Sequence, residues 1–138
     1  MGQVGTLERV VGPDDTADRF DNVGVTVLAT PVLCHWFESA AVRAMAEQLE
    51  PGEATVGTHL NIEHLKATPL GMRVRVAARV VSAEGRHLSF DIEAFDELEL
   101  VARGTHERFV VDLERLLAGV QAKRARLAAS GSKGGSDG

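Results

Sequence analysis

The sequence predicts an α+β fold in which one long central helix is wrapped by a curved antiparallel β-sheet. Residues 30–49 are predicted to form a single helix that is apolar over most of its circumference, and such a helix must be covered by other elements. After Pro51 and Gly52 the apolar residues alternate with polar ones, which is the period of a strand with one buried face. The only element available to cover the helix is therefore a sheet built from these strands.

Length and composition indicate an ordinary soluble protein. The chain has 138 residues, enough for one domain with a real core, and 44% of them are hydrophobic. The net charge of -5 argues against a nucleic-acid binder, which normally carries a basic patch. The single cysteine, Cys34, excludes an internal disulfide. Because neither a signal-like N-terminus nor a bilayer-length apolar run is evident, we expect a cytoplasmic protein that does not bind membranes.

Before the helix, the chain is predicted to form one short strand and an irregular, lid-like loop. Residues 7–11 form the strand, which Gly12 and the residues after it interrupt. Polar residues without a clear period continue to Gly24, and residues 25–29 form a short β-branched run. The loop therefore leads directly into the helix.

The helix itself carries the most informative residue. We predict Thr30 as its N-cap, Pro31 as its first residue and an end near Leu49. Glu38 lies in the middle of this segment, and burying a carboxylate is costly unless it has a partner. A lone acid in so apolar a helix indicates a site, although a solvated glutamate on the polar side of the helix is the alternative that the sequence leaves open.

Four antiparallel strands are predicted to follow the helix, the fourth at residues 98–111. The predicted inward faces of the first three are Val56, Thr58, Leu60, Ile62 and His64; Val74, Val76, Ala78 and Val80; and Leu88, Phe90, Ile92 and Ala94. The outer face of the second strand carries Arg73, Arg75 and Arg79, which are either solvated or contact an anionic ligand such as CoA.

His64 is placed by this register on the side facing the helix. An inward histidine is either a satisfied core residue or, if it lies beside Glu38, a proton carrier. His59 lies on the opposite face of the same strand, so the two imidazoles cannot share a metal ion, and we expect no metal site and no cofactor.

The C-terminal part is predicted to hold one more helix and a tail. Residues 113–128 have an amphipathic pattern, and residues 130–138 are rich in Gly and Ser, which predicts a disordered tail. Residues 1–129 then form a single domain without internal repeats.

Several motifs in this order resemble one known family. They are Ala29-Thr30, Glu38, Val42-Arg43-Ala44-Met45, Leu49-Glu50-Pro51-Gly52-Glu53, Val56-Gly57-Thr58, His64, Ala67-Thr68-Pro69, Glu84-Gly85-Arg86 and Gly104-Thr105-His106-Glu107-Arg108. Over roughly residues 29–114, the chain is similar to the fluoroacetyl-CoA thioesterases of the hot-dog fold. The resemblance implies a homodimer, with a tetramer left open, that hydrolyses an acyl-CoA thioester.

The resemblance also implies the site residues. Thr30, Glu38 and His64 match the family's catalytic threonine, glutamate and histidine, and Gly57 and Arg108 match residues that shape the substrate site. Glu38 would act either as the nucleophile or as the general base that activates water.

One segment departs from the family. The fluoroacetate-specific member is understood to have an aromatic lid ahead of the Ala-Thr step, whereas this chain has Phe20 followed by a polar pair and then Val23 and Gly24. We therefore expect a small or medium acyl group rather than strict selectivity for a fluorinated one. A non-catalytic module that binds acyl-CoA is the main alternative, and dehydration of a hydroxyacyl thioester is a weaker one.

Overall fold

Five antiparallel strands form one sheet, and a long helix lies against one of its faces. The computed structural model of the protein describes residues 2–133. The elements in chain order are β1 (Val4–Val10), a one-turn 3₁₀ helix (Ala17–Phe20), α1 (Thr30–Met45), β2 (Glu53–His64), β3 (Arg73–Glu84), β4 (His87–Phe95), β5 (Leu100–Asp112) and α2 (Leu113–Lys133). The strand order is β1-β3-β4-β5-β2, so β1 and β2 are the edges of the sheet.

The core forms between α1 and the sheet. Buried residues recur every three or four positions along α1, which is one helical face: Leu33, Trp36, Phe37, Ala40, Ala41, Ala44 and Met45. The helix also lies very close to β1, because a Cβ on Gly5 would stand only 2.0 Å from the carbonyl oxygen of Ala40. The predicted α+β fold, with a central helix covered by an antiparallel sheet, is confirmed.

The inward faces of β3 and β4 are those that the alternation predicts, and every predicted inward residue on these two strands is at most 3% exposed. Strand β2 differs, because its pairing with β5 shifts by one residue between Gly57 and His59. Gly57 lies opposite Arg108 and Leu60 lies opposite His106, so Gly57 and Leu60 share the face that looks toward α1. The predicted placement of Val56 and Thr58 on that face is wrong, since one extra residue in a strand inverts the alternation.

Both ends of α1 differ from the prediction. The helix ends at Met45, about one turn before Leu49. Its N-cap is Ala29, and no side chain caps it. The prediction of Thr30 as N-cap is therefore wrong, and the hydroxyl of Thr30 is instead bonded to His64 across the fold.

Helix α2 extends to Lys133, so residues 130–133 of the predicted tail are helical. Once a helix has formed, each further residue adds one backbone hydrogen bond at low cost, and Ala128 and Ala129 favour that extension. The rest of the predicted tail, residues 134–138, lies outside the described residues. Within residues 2–133, no helix combines the length and the apolar character that crossing a bilayer requires.

Candidate active site

Glu38 lies at the edge of the buried face of α1, not inside an enclosed apolar pocket. Its side chain is 47% exposed, and its Oε2 lies 3.4 Å from Nη1 of Arg108. Within one protomer the acid is thus neither enclosed by apolar side chains nor fully solvated. The partner of Glu38 is a guanidinium that comes from β5, 70 residues further along the chain.

Arg108 is almost completely buried and is held from three sides. Its Nε donates to Oγ1 of Thr55 at 2.9 Å, and its Nη2 donates to the carbonyl oxygen of Thr55 at 2.9 Å. The guanidinium side chain is only 6% exposed, and burial lowers the pKa of Arg108 while the carboxylate of Glu38 raises it. A buried cation needs such partners, and these contacts fix the position of the Nη1 group that faces Glu38.

His106 completes the surroundings of Arg108. Its ring is buried, its Nδ1 lies 2.8 Å from the carbonyl oxygen of His59, and its Nε2 lies 3.2 Å from Nη1 of Arg108. Burial is the main cause that lowers the pKa of His106, and the neighbouring charge of Arg108 acts in the same direction. His106 is not among the site residues predicted above, although its i, i+2 spacing from Arg108 places both side chains on one face of β5.

Gly57 provides the space that the carboxylate occupies. A Cβ at this position would stand 2.7 Å from Oε2 of Glu38 and 3.3 Å from Nη1 of Arg108. Any larger residue would therefore displace the Glu38–Arg108 pair. The structure thus brings together three of the five predicted site residues: Glu38, Gly57 and Arg108.

Thr30 and His64 form a second pair at the N-terminal end of α1. Oγ1 of Thr30 lies 2.8 Å from Nδ1 of His64. Burial lowers the pKa of His64, and its Nε2 is buried with no hydrogen-bond partner among the described residues. Glu38 is eight residues beyond Thr30, about 12 Å along the helix axis, so His64 does not lie beside Glu38 within one chain, the position in which it would serve as a proton carrier.

Exposed cations and polar groups surround Glu38 on the solvent side. The depression around it is lined by Arg9, His35, Ser39, Val42, Arg43 and Arg108. An anionic ligand would meet positive charge on its way to the carboxylate.

Comparisons with known proteins agree on one family. A model of the fluoroacetyl-CoA-specific thioesterase family matches residues 11–114. A fluoroacetyl-CoA thioesterase of Streptantibioticus cattleyicolor is 45% identical over 97 residues, which are 70% of either chain.

Two solved structures extend this similarity to the whole fold. The structure of the fluoroacetyl-CoA thioesterase FlK superposes with a TM-score of 0.82 at 39% identity and covers 89% of this chain and 96% of that one. A hypothetical protein of Thermus thermophilus, described as a thioesterase superfamily member, superposes with a TM-score of 0.87 at 31% identity and covers 93% of this chain and 95% of that one.

Two histidines that are shielded from water make the stability of the fold sensitive to acid. Both His64 and His106 have a lowered pKa in the folded chain, so below about pH 6.5 the unfolded chain takes up protons that the folded chain does not. The free energy of unfolding should therefore fall as the pH drops below about 6.5. Urea titrations at a series of pH values measure this slope.

The variant H106Q removes one of the two groups, so its unfolding free energy should depend less steeply on pH between about 5 and 7. The matched control is H35Q, because His35 is exposed. An H106Q slope equal to that of the unsubstituted protein would show that His106 does not contribute.

Proposed function

The chain belongs to the family of fluoroacetyl-CoA-specific thioesterases and is a thioester hydrolase of the hot-dog fold; from this membership we propose that it cleaves short acyl-CoA thioesters, fluoroacetyl-CoA included, with Glu38 as the reacting carboxylate. The observation that carries this proposal is the position of Glu38. It is half-exposed, it lies in a depression lined by cations, and one of its oxygens is held by a buried arginine.

The chemistry of a thioester suits a carboxylate placed in this way. Arg108 holds Oε2, and no described side chain bonds Oε1, which leaves its lone pairs available. That oxygen would either attack the carbonyl carbon, forming a mixed anhydride and releasing the thiolate, or take a proton from an attacking water. Both routes need the carboxylate within about 3.5 Å of the reacting atoms, so the contact with Arg108 acts by fixing its position.

We further propose that the working unit is a homodimer in which each site combines residues of two protomers. Within one chain, the Thr30–His64 pair lies about 12 Å from Glu38 along α1, too far for both to contact one carbonyl group. A second copy of the chain would remove this separation if its Thr30–His64 pair lay beside Glu38 of the first copy.

The edge of the sheet suggests how two copies would pair. Strand β2 is an edge strand that carries Gly57 in its first half and His64 at its C-terminal end, both on the face toward α1. Edge strands present unpaired backbone groups, and a two-fold axis at Asn61 would pair β2 with its own copy in antiparallel orientation, with Leu60 of each copy opposite Ile62 of the other. Because of the bulge after Gly57, Gly57 of one protomer would then lie near His64 of the other, on the same face.

In such a site, Thr30 and His64 would interact with the carbonyl oxygen and the leaving thiolate of the substrate. The hydroxyl of Thr30 can donate a hydrogen bond to the oxygen on which negative charge develops, or can orient the bound substrate. The imidazole of His64, bonded to that hydroxyl, can relay the proton that Glu38 takes from the attacking water to the departing thiolate. The resemblance of Thr30 and His64 to the family's motif residues and the 2.8 Å contact between their side chains support these roles.

The loop before α1 bears on the acyl group. Its outer residues Phe20 and Val23 are 45% and 90% exposed within one chain, whereas Thr16, Leu28 and Ala29 are buried, and backbone hydrogen bonds hold the loop beside the start of the helix. A relative, a point mutant of FlK, has been solved with fluoroacetate and CoA; it is 39% identical and superposes with a TM-score of 0.78, covering 84% of this chain and 98% of that one. A loop so exposed offers little enclosure, so several short acyl groups should fit.

Replacing Glu38 by Gln tests the central role. E38Q keeps the shape of the side chain but loses the nucleophile and base, and kcat for thiol release from acetyl-CoA should fall at least about 100-fold. The matched control is E47Q, which removes an exposed acid just after α1 and should leave kcat unchanged. Full turnover by E38Q would disprove the role, and CoA-ester binding without thiol release by the unsubstituted protein would favour a binding module.

Mixing two inactive variants tests the shared site. E38Q and H64A chains carrying different tags are coexpressed, and the mixed dimer is purified. That dimer would contain one intact site and one doubly substituted site, so it should show about half of the wild-type activity, far above either variant alone. Activity no higher than that of the two single variants would show that each site is built from one chain.

A panel of acyl-CoA substrates tests the acyl preference. Acetyl-, propionyl-, butyryl- and fluoroacetyl-CoA should all be hydrolysed. The ratio of kcat/KM for fluoroacetyl-CoA to kcat/KM for acetyl-CoA should be at most about ten times the ratio of their spontaneous hydrolysis rates. A small acyl group offers a site few contacts by which to discriminate. Hydrolysis of fluoroacetyl-CoA alone would contradict the proposed breadth.

A further inference from the structure

We propose that His106 is a positioning residue of the thioesterase site, which orients the guanidinium of Arg108 toward Glu38 through a hydrogen bond accepted by its Nε2. This inference rests on the proposed function, because it concerns the same carboxylate. It assigns a role to a buried histidine that does not itself reach the substrate.

The hydrogen bonds determine which nitrogen of His106 carries the proton. A carbonyl oxygen only accepts, so the 2.8 Å contact with His59 requires the proton on Nδ1. Nε2 is then an acceptor, and it faces Nη1 of Arg108, a group that only donates, at 3.2 Å. In the other tautomer, the N–H at Nε2 would face the N–H of Arg108, and an unprotonated Nδ1 would face the carbonyl oxygen of His59.

The same Nη1 group connects His106 to Glu38. It has two N–H bonds, and its two acceptors are Nε2 of His106 at 3.2 Å and Oε2 of Glu38 at 3.4 Å. Because the planar guanidinium moves as one unit, the histidine adds to the Thr55 contacts by holding the Nη1 corner from one side while the carboxylate uses the other. Thr55 holds the remaining part of the guanidinium, so His106 is the protein contact on Nη1 besides Glu38.

The ring of His106 is rigid enough for this task. It is 1% exposed, and it packs beside the ring of Phe90 on β4 with the centroids 5.8 Å apart. Its backbone lies between Leu60 of β2 and Phe90 of β4 in the sheet. A ring in these surroundings cannot turn without breaking its bond to the carbonyl of His59.

Charge explains why the ring should stay neutral. The charged and titratable groups that face it are Arg108 from its own strand, Glu38 from α1 and His59 from β2, while β4 contributes Phe90. Protonation of Nε2 would remove this hydrogen-bond acceptor and would place a positively charged imidazolium against the guanidinium of Arg108. Activity should therefore fall on acidification because Arg108 loses its orientation.

The competing explanation is purely structural, with His106 holding β2 to β5 through His59 alone. Two amide variants separate the explanations. The short side chain of H106N places its amide near Nδ1, so it can still donate to His59 but no longer reaches Arg108. The longer side chain of H106Q places its amide near Nε2, where its oxygen can accept from Arg108.

The test compares kcat, KM and thermal stability of both variants with those of the unsubstituted enzyme. A hydrogen bond to a charged group is lost in H106N, so its kcat should fall about 10- to 100-fold with KM changed less than about threefold, whereas H106Q should retain kcat within about threefold. The control E8Q removes an exposed β1–β3 contact with Arg75 and should behave like the unsubstituted enzyme.

The reverse result, with H106N active and H106Q impaired, would overturn the inference in favour of the structural role. Equal kcat in all variants would do the same. If H106N fails to fold, nitrogen NMR of the unsubstituted protein decides, because a proton found on Nε2 of His106 at neutral pH excludes the proposed bond. An active E38Q would instead refute the proposed function, so the two failures are distinguishable.

Discussion

The arrangement of the whole site depends on one buried cation. Taking the guanidinium of Arg108 out of water is costly, and the fold compensates with acceptors from β2, β5 and α1: Thr55, His106 and Glu38. The carboxylate of Glu38 can approach only because Gly57, directly opposite Arg108, has no side chain. The β-bulge after Gly57 is equally necessary, since it turns both Gly57 and His64 toward the helix.

The same geometry is the reason for the proposal that each site is shared between two chains. The helix that carries both Thr30 and Glu38 separates them by about two turns, and β2 separates Gly57 from His64 by most of its length. Gly57, which lies beside Glu38, and His64, which contacts Thr30, are both on the edge strand β2. Pairing two copies through β2 would therefore bring Glu38 of one protomer to the Thr30–His64 pair of the other, with no rearrangement inside either chain. The proposed shared site thus depends on the outer edge of β2, which is unpaired in a single chain.

The sequence predicted the parts of this fold that are governed by local periodicity. The inward faces of β3 and β4, the apolar helix and its place within an antiparallel sheet are all as expected, because burial imposes periods of two and 3.6 that are visible in the residues. The bulge in β2 was not predictable, since it is defined by pairing with β5 rather than by its own residues. The Glu38–Arg108 and Thr30–His64 contacts join residues 70 and 34 positions apart, and only the resemblance to a family suggested that these residues belong together.

The most direct test of the account is a crystal structure with a CoA ketone in which a methylene group separates the sulfur from the carbonyl, so that it cannot be hydrolysed. We expect the carbonyl carbon within about 3.5 Å of an oxygen of Glu38 from one protomer, with Thr30 and His64 of the second protomer beside the carbonyl oxygen. A ketone bound away from Glu38, or enclosed by residues of a single chain, would contradict it.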